Sequence, residues 1–101
     1  MRRAARIDGN QTEIVQALRA AGATVQSLAA VGHGCPDLLV GMHGTSYLME
    51  VKDGSLAPSR RRLTPDEAAW HAMWQGHVAV VESAADALAC IGKAPPRIPS
   101  G

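Results

Sequence analysis

Phenylalanine is absent from this chain, and Trp70, Trp74 and Tyr47 are its three aromatic residues. A core built from such a sequence must be aliphatic. The same scarcity argues against nucleic-acid readers that stack successive bases on several exposed rings, as OB and RRM domains do. Cysteine is scarce too: Cys35 and Cys90 stand apart with no framework spacing, which excludes a disulfide scaffold and makes a reducing cytoplasm the expected setting. No apolar run approaches the roughly 18 to 20 residues needed to cross a bilayer, and no secretory segment is evident, so a soluble protein with no membrane partner is expected. At 101 residues the chain suits one domain and is too short for two.

What the chain does have is charge, unevenly placed. The formal net charge is +1, yet six of the ten basic residues form two clusters, Arg2, Arg3, Arg6 and Arg60, Arg61, Arg62. Each cluster reads either as a set of phosphate contacts or as a solvated basic surface.

The pattern of apolar residues predicts a helix from about Asn10, as its cap, to Ala21, with Ile14, Val15, Leu18 and Ala21 on one face and Gly22 as its stop. A β-branched segment from Thr24 to Val31 predicts a strand, interrupted by the Gly32-His-Gly-Cys-Pro36 loop. Asp37 to Gly41 and Ser46 to Lys52 predict an antiparallel hairpin around Met42, His43, Gly44 and Thr45. A polar stretch with the three arginines predicts a mobile loop. Thr64-Pro-Asp-Glu67 is a dense helix start: cap, proline at the first position, acids in the first turn and a capping-box glutamate. That helix is expected to run to about Gln75, ahead of Gly76. Val78 to Val81 predicts a parallel strand, central or nearly so, and Ser83 caps a last helix reaching Gly92. The expected domain is residues 1–92, followed by a proline-rich tail, 93–101, expected to be disordered. The order is helix, three strands, helix, strand, helix. This predicts a three-layer α/β sandwich with a mixed sheet flanked by helices.

Glu50 and Lys52 are two residues apart on one strand and so share a face, and antiparallel pairing brings Asp37 beside them. Two neighbouring carboxylates are costly to keep ionised together unless a cation lies between them. Magnesium, a hard ion with oxygen ligands, suits Asp37, Glu50, the backbone carbonyl of Val51 and a substrate phosphate. Spacing alone leaves another reading open, in which Glu50 and Lys52 form a surface ion pair and Asp37 merely starts a strand.

The whole string is more specific. Gly34-Cys-Pro-Asp-Leu-Leu-Val-Gly41 followed by Leu48-Met-Glu-Val-Lys-Asp53 resembles the PD-(D/E)XK nuclease superfamily, with Pro36-Asp37 and Glu50-Val51-Lys52 as its signature and Leu63-Thr-Pro65 opening the next helix. The nearest look-alikes are small VRR-NUC and Holliday-junction-resolvase-like nucleases, frequent in phages. The resemblance spans about Asp8 to Gly92 and implies a restriction-endonuclease-like core of order αβββαβα. It further implies a magnesium-dependent endonuclease, with manganese as a substitute, acting on DNA, including branched or otherwise structured DNA. Asp37 and Glu50 would hold the metal and Lys52 would orient the attacking water. A bacterial cytoplasm or phage-infected cell is the implied location.

Glu13 has two readings: an extra metal ligand, as in related nucleases, or a capping-box partner of Asn10, three residues before it. Glu67 stands where relatives often carry Gln, and Thr64-x-x-Glu67 is itself a capping box. Arg60, Arg61 and Arg62 are the expected phosphate contacts, with His33 as a further candidate for touching DNA. His33, His43, His71 and His77 share no zinc spacing with the cysteines, Cys35 reads as a small buried residue rather than a nucleophile, and the glycine loop lacks the pattern of a dinucleotide fingerprint. Trp70 and Trp74 share a helical face suited to core or dimer packing. A domain this small covers little DNA, so a homodimer is expected. The rival readings are a non-catalytic DNA-binding or regulatory module that keeps the nuclease fold, and a structural protein assembling through the tryptophan face.

Overall fold

Ile14 and Leu18, one helical turn apart, are both fully buried, and they anchor the first helix, α1 (Gln11–Ala20), to the core. The computed structural model describes residues 9–92; Arg2, Arg3, Arg6 and the tail 93–101 lie outside the described residues. α1 ends where Gly22 takes a φ of +100°, which lets the amides of Gly22 and Ala23 return to the carbonyls of Arg19 and Leu18 at 3.0 Å each, a Schellman closure. At its other end the structure corrects the expected cap. The Asn10 side chain makes no bond to the first turn; its Nδ2 donates instead to the carbonyls of Lys52 and Glu82, each at 3.1 Å. One amide group has two N–H donors and here serves two chain segments at once, which a cap at the helix start would not do.

The sheet has four strands in the order β1 (Thr24–Ser27), β2 (Leu38–Met42), β3 (Thr45–Val51), β4 (Val78–Val81). β1 is shorter than expected: after Ser27 the chain makes one more ladder-like bond, Leu28 N to Asp37 O at 2.8 Å, and then turns. β2 and β3 form the expected hairpin, with Leu38 opposite Met49 and Met42 opposite Thr45. The turn is tighter than the four residues anticipated, because His43 and Gly44 both adopt positive φ, 51° and 78°, the conformation of a two-residue turn that matches strand twist. β4 pairs with β3 in parallel, Glu50 opposite Val80 and Val51 opposite Val81. It is not central: it forms the edge of the sheet. Its apolar run reflects burial on one face, where Val81 joins the core, while Val80 on the other face remains 44% exposed.

The core lies on one side of the sheet. Leu38, Val40, Met42, Met49, Val51 and Val81 meet Ile14 and Leu18 of α1 and Ala87 and Ile91 at the last helix, α3 (Ala84–Cys90), an aliphatic set as composition requires. Ser83 caps α3 by accepting the Asp86 amide. The middle helix, α2 (Pro65–Met73), stops two residues short of the expected end because Trp74 is extended, and none of its residues is buried. It stands over the opposite sheet face, the one carrying Glu50 and Lys52. No helix among the described residues is long and apolar enough to cross a membrane.

The loop before β2 abuts the start of α2. Gly34, at φ +83°, lies so close to the Asp66 carbonyl that any Cβ there would collide with backbone, whereas Gly32, at φ +72°, faces open space. Gly32→Ala should cost only the left-handed strain, about 1 kcal/mol, while Gly34→Ala adds a backbone displacement and should cost roughly 2–4 kcal/mol. Denaturant midpoints measured side by side test this; equal losses would show that Gly34 does not set the position of α2.

Candidate active site

Antiparallel pairing of β2 with β3 runs Asp37, the residue before β2, alongside the end of β3. There its Oδ2 accepts the Val51 amide at 2.6 Å, a short charge-assisted bond of the kind a carboxylate makes to backbone N–H. Strand alternation turns Met49 and Val51 into the core and sends Glu50 and Lys52 to the other face. Glu50 is 1% exposed and Lys52 9%, so these are not residues of a solvated surface pair. The structure therefore brings Asp37, Glu50 and Lys52 together, and the reading in which Glu50 and Lys52 simply pair at the surface does not hold. The Lys52 Nζ is held by Glu67 Oε1 at 2.7 Å.

α2 supplies that partner through its own start signal. The Thr64 side chain accepts the Glu67 amide and the Glu67 carboxylate accepts the Thr64 amide, the capping box expected from sequence. The same Oε1 meets Lys52, so the glutamate caps the helix and fastens it to β3. Burial pushes the Glu67 carboxyl upward, but the Lys52 ammonium and the Thr64 amide outweigh it and hold Glu67 below the ordinary carboxylate value. One helical turn further on, His71 Nε2 lies 3.3 Å from Glu50 Oε1. The match is metric: four helical residues rise about 6 Å and two strand residues about 6.6 Å, so positions 67 and 71 fall over 52 and 50. Sequence reasoning missed His71, whose one signal was its four-residue spacing from Glu67.

Among the described residues Glu50 has the most strongly shifted pKa. Burial, followed by the adjacent Asp37 carboxylate through hydrogen bonding and charge, and then Glu67, pushes its pKa to about 9 against the pull of Lys52. Burial and the same two acids, Glu50 and Asp37, also push the Cys35 thiol upward, which places Cys35 beside the pair and makes it a poor nucleophile. Two carboxylates this close, one of them buried, favour a proton or a cation between them, and the donor set of Asp37, Glu50 and backbone oxygen fits a hard divalent cation. Among the described residues no group of three or more His, Cys, Asp or Glu side chains is arranged to hold a metal ion.

The other expected residues lie further out. Glu13 is exposed on α1 and lines an open cleft of about 710 Å³ with Asn10, Asp53, Glu82 and Asp86. His33, at φ 57°, borders a shallow groove with Asp66, Trp70 and Met73. The three arginines separate. Arg60 and Arg62 are exposed, whereas Arg61 donates from Nε to the Leu56 carbonyl at 2.8 Å and pairs with Glu82 at 3.2 Å. Part of the expected mobile loop is ordered by that pair and by a 3-10 turn at Pro58–Arg60.

Among solved structures a VRR_NUC domain is similar to this chain, with 28% identity over 81% of this chain and 89% of the other and a TM-score of 0.60. No protein-family model and no curated protein matches the sequence. Element order, sheet order and this likeness together define a nuclease fold of the VRR-NUC, PD-(D/E)XK-like kind.

The raised pKa of Glu50 has a thermodynamic consequence. Between its ordinary value of 4.5 and about 9, folded Glu50 keeps a proton that the unfolded chain has released, so the metal-free protein loses stability as pH rises through that window. Glu50→Gln keeps the shape and removes the titration, and should flatten the decline. Denaturant midpoints in chelator at about pH 5 and about pH 8 measure it; an identical decline in both proteins would show that Glu50 ionises normally.

Proposed function

We propose that this chain is a metal-dependent endonuclease that hydrolyses DNA phosphodiester bonds, including those of branched or structured DNA. The observation that carries the reading is the convergence of Asp37, Glu50 and Lys52 at one end of β3, with two adjacent carboxylates, one of them fully buried. Asp37 and Glu50 hold magnesium, for which manganese substitutes, and the Val51 carbonyl adds a ligand; Glu13, which lines the separate cleft beside Asn10, is left out of this set. Such an ion, when bound, lowers the pKa of water and neutralises charge on the scissile phosphate. Lys52, fixed by Glu67, orients the attacking water and stabilises negative charge developing on phosphate oxygen. Water attacks phosphorus, the P–O bond to one deoxyribose breaks, and the leaving oxygen takes a proton.

Arg60 and Arg62 contact phosphates from the loop, with His33 at the far side of α2's start. Such contacts supply affinity without sequence choice. Met73, 68% exposed, and Trp74, 42% exposed and stacked on Trp70, are the surface on which a homodimer would form to reach both strands.

The deciding experiment is a panel of linear, nicked, flapped and four-way DNA incubated with magnesium or manganese. Wild type should cut at least one member, and Lys52→Ala and Asp37→Ala should lower the rate on the order of a hundredfold or more with the fold intact. Binding without cutting anywhere in the panel would instead support a non-catalytic DNA-binding module.

The arginine loop makes a separate prediction. Arg60→Ala and Arg62→Ala should each weaken DNA binding across sequences and reduce the log–log salt slope by about 0.9, one phosphate contact apiece. Arg61→Ala should chiefly lower stability, because its guanidinium is committed to Leu56 and Glu82. A salt slope that changes only for Arg61→Ala would reverse the assignment.

A further inference from the structure

The proposed nuclease reading uses Asp37, Glu50 and Lys52 and leaves unexplained why a histidine faces the buried carboxylate. His71 is three-quarters of the way along α2 and its side chain is 15% exposed, although α2 as a whole buries no residue. A helix this exposed has no packing need for an inward imidazole. Its ring meets the edge of Trp70, with centroids 6.0 Å apart at 71°, and its Nε2 stands 3.3 Å from Glu50 Oε1. The backbone that carries it is fastened one turn earlier by Glu67 to Lys52 and to Thr64.

We propose, on the basis of that nuclease reading, that His71 is a positioning residue of the metal site: it holds Glu50 through Oε1 and thereby fixes where the second carboxylate oxygen points. Glutamate has three side-chain torsions, and a carboxylate shared with a cation must be confined to one rotamer before the ion binds. Asp37 is confined by the Val51 amide and Lys52 by Glu67. His71 performs the same service for Glu50, which Glu67 also meets, so each residue of the triad is held by a contact from outside it. Two of those three partners come from a single turn of α2, which makes the helix a template for the site rather than part of the core.

The test uses the full chain with His71→Gln, whose side-chain amide can donate to the same oxygen, and His71→Leu, which fills the space without a donor. Manganese affinity is measured by calorimetry, and cleavage is measured as kcat and KM separately. His71→Leu should bind manganese about tenfold or more weakly, as loss of a partner behind a metal ligand does, and lower kcat with little change in KM for DNA; His71→Gln should recover most of both. Equal metal affinity in wild type and His71→Leu, or equal loss in the two variants, overturns the proposal. Should His71→Leu not fold, the wild type decides: 15N resonances of the His71 ring should move when magnesium is added, and unmoved resonances overturn the proposal. Metal affinity that depends on His71 in a protein that cuts no DNA would sink the nuclease reading and leave the positioning role standing. A wild type that binds no divalent ion would end both.

Discussion

A carboxylate with 1% of its surface exposed, set against a second carboxylate, is the constraint on which the rest of this site depends. Ionised and without a cation, Glu50 would be expensive to bury; protonated, it is of no use as a ligand. The surroundings manage that cost in parts. Asp37 is drawn toward the backbone by the Val51 amide, Lys52 supplies positive charge, and Lys52 is itself kept in place by Glu67. A proton on Glu50 relieves that cost in the protein alone, and the divalent ion of the proposed function would take the proton's place.

The same constraint explains the asymmetry of the fold. One sheet face is covered by α1 and α3 through an aliphatic core, whereas the other is covered by a helix with no buried residue. α2 is held by polar contacts, Glu67 to Lys52 and His71 to Glu50, and by the close approach of Gly34 to Asp66. Elements with little apolar burial open at lower free energy than core elements. α2 therefore rests on a few polar contacts, while the strands that position Asp37, Glu50 and Lys52 are fixed by the core behind them.

Much of this was legible without coordinates where the signal is local. Thr64-x-x-Glu67 and Ser83 cap the helices they were expected to cap, His43-Gly44 turns the hairpin, and period-two alternation put Glu50 and Lys52 on one face. Signals that depend on what lies opposite were misread or unseen. Asn10 is a good cap by type, yet two carbonyls 42 and 72 residues away compete for its amide and win. Val78–Val81 looks like a strand covered on both faces, yet it is an edge. Arg61 is indistinguishable in sequence from Arg60 and Arg62, and its contacts with the Leu56 carbonyl and with Glu82, 21 residues on, separate it from them. His71 looked like one more residue of a tryptophan-rich helix until the crossover set it over Glu50.

The sequence by itself determined the order of elements, the aliphatic character of the core, the hairpin that joins Asp37 to Glu50 and Lys52, and the likeness to PD-(D/E)XK nucleases, because each rests on contacts between near neighbours or on composition. Tertiary structure alone decided which charges are buried, which arginine is spent inside the loop, and that one turn of α2 meets the end of β3 residue for residue. Burial and pairing across long separations depend on how the crossover lays a helix on a sheet, and that geometry is a property of the packed molecule rather than of any segment within it.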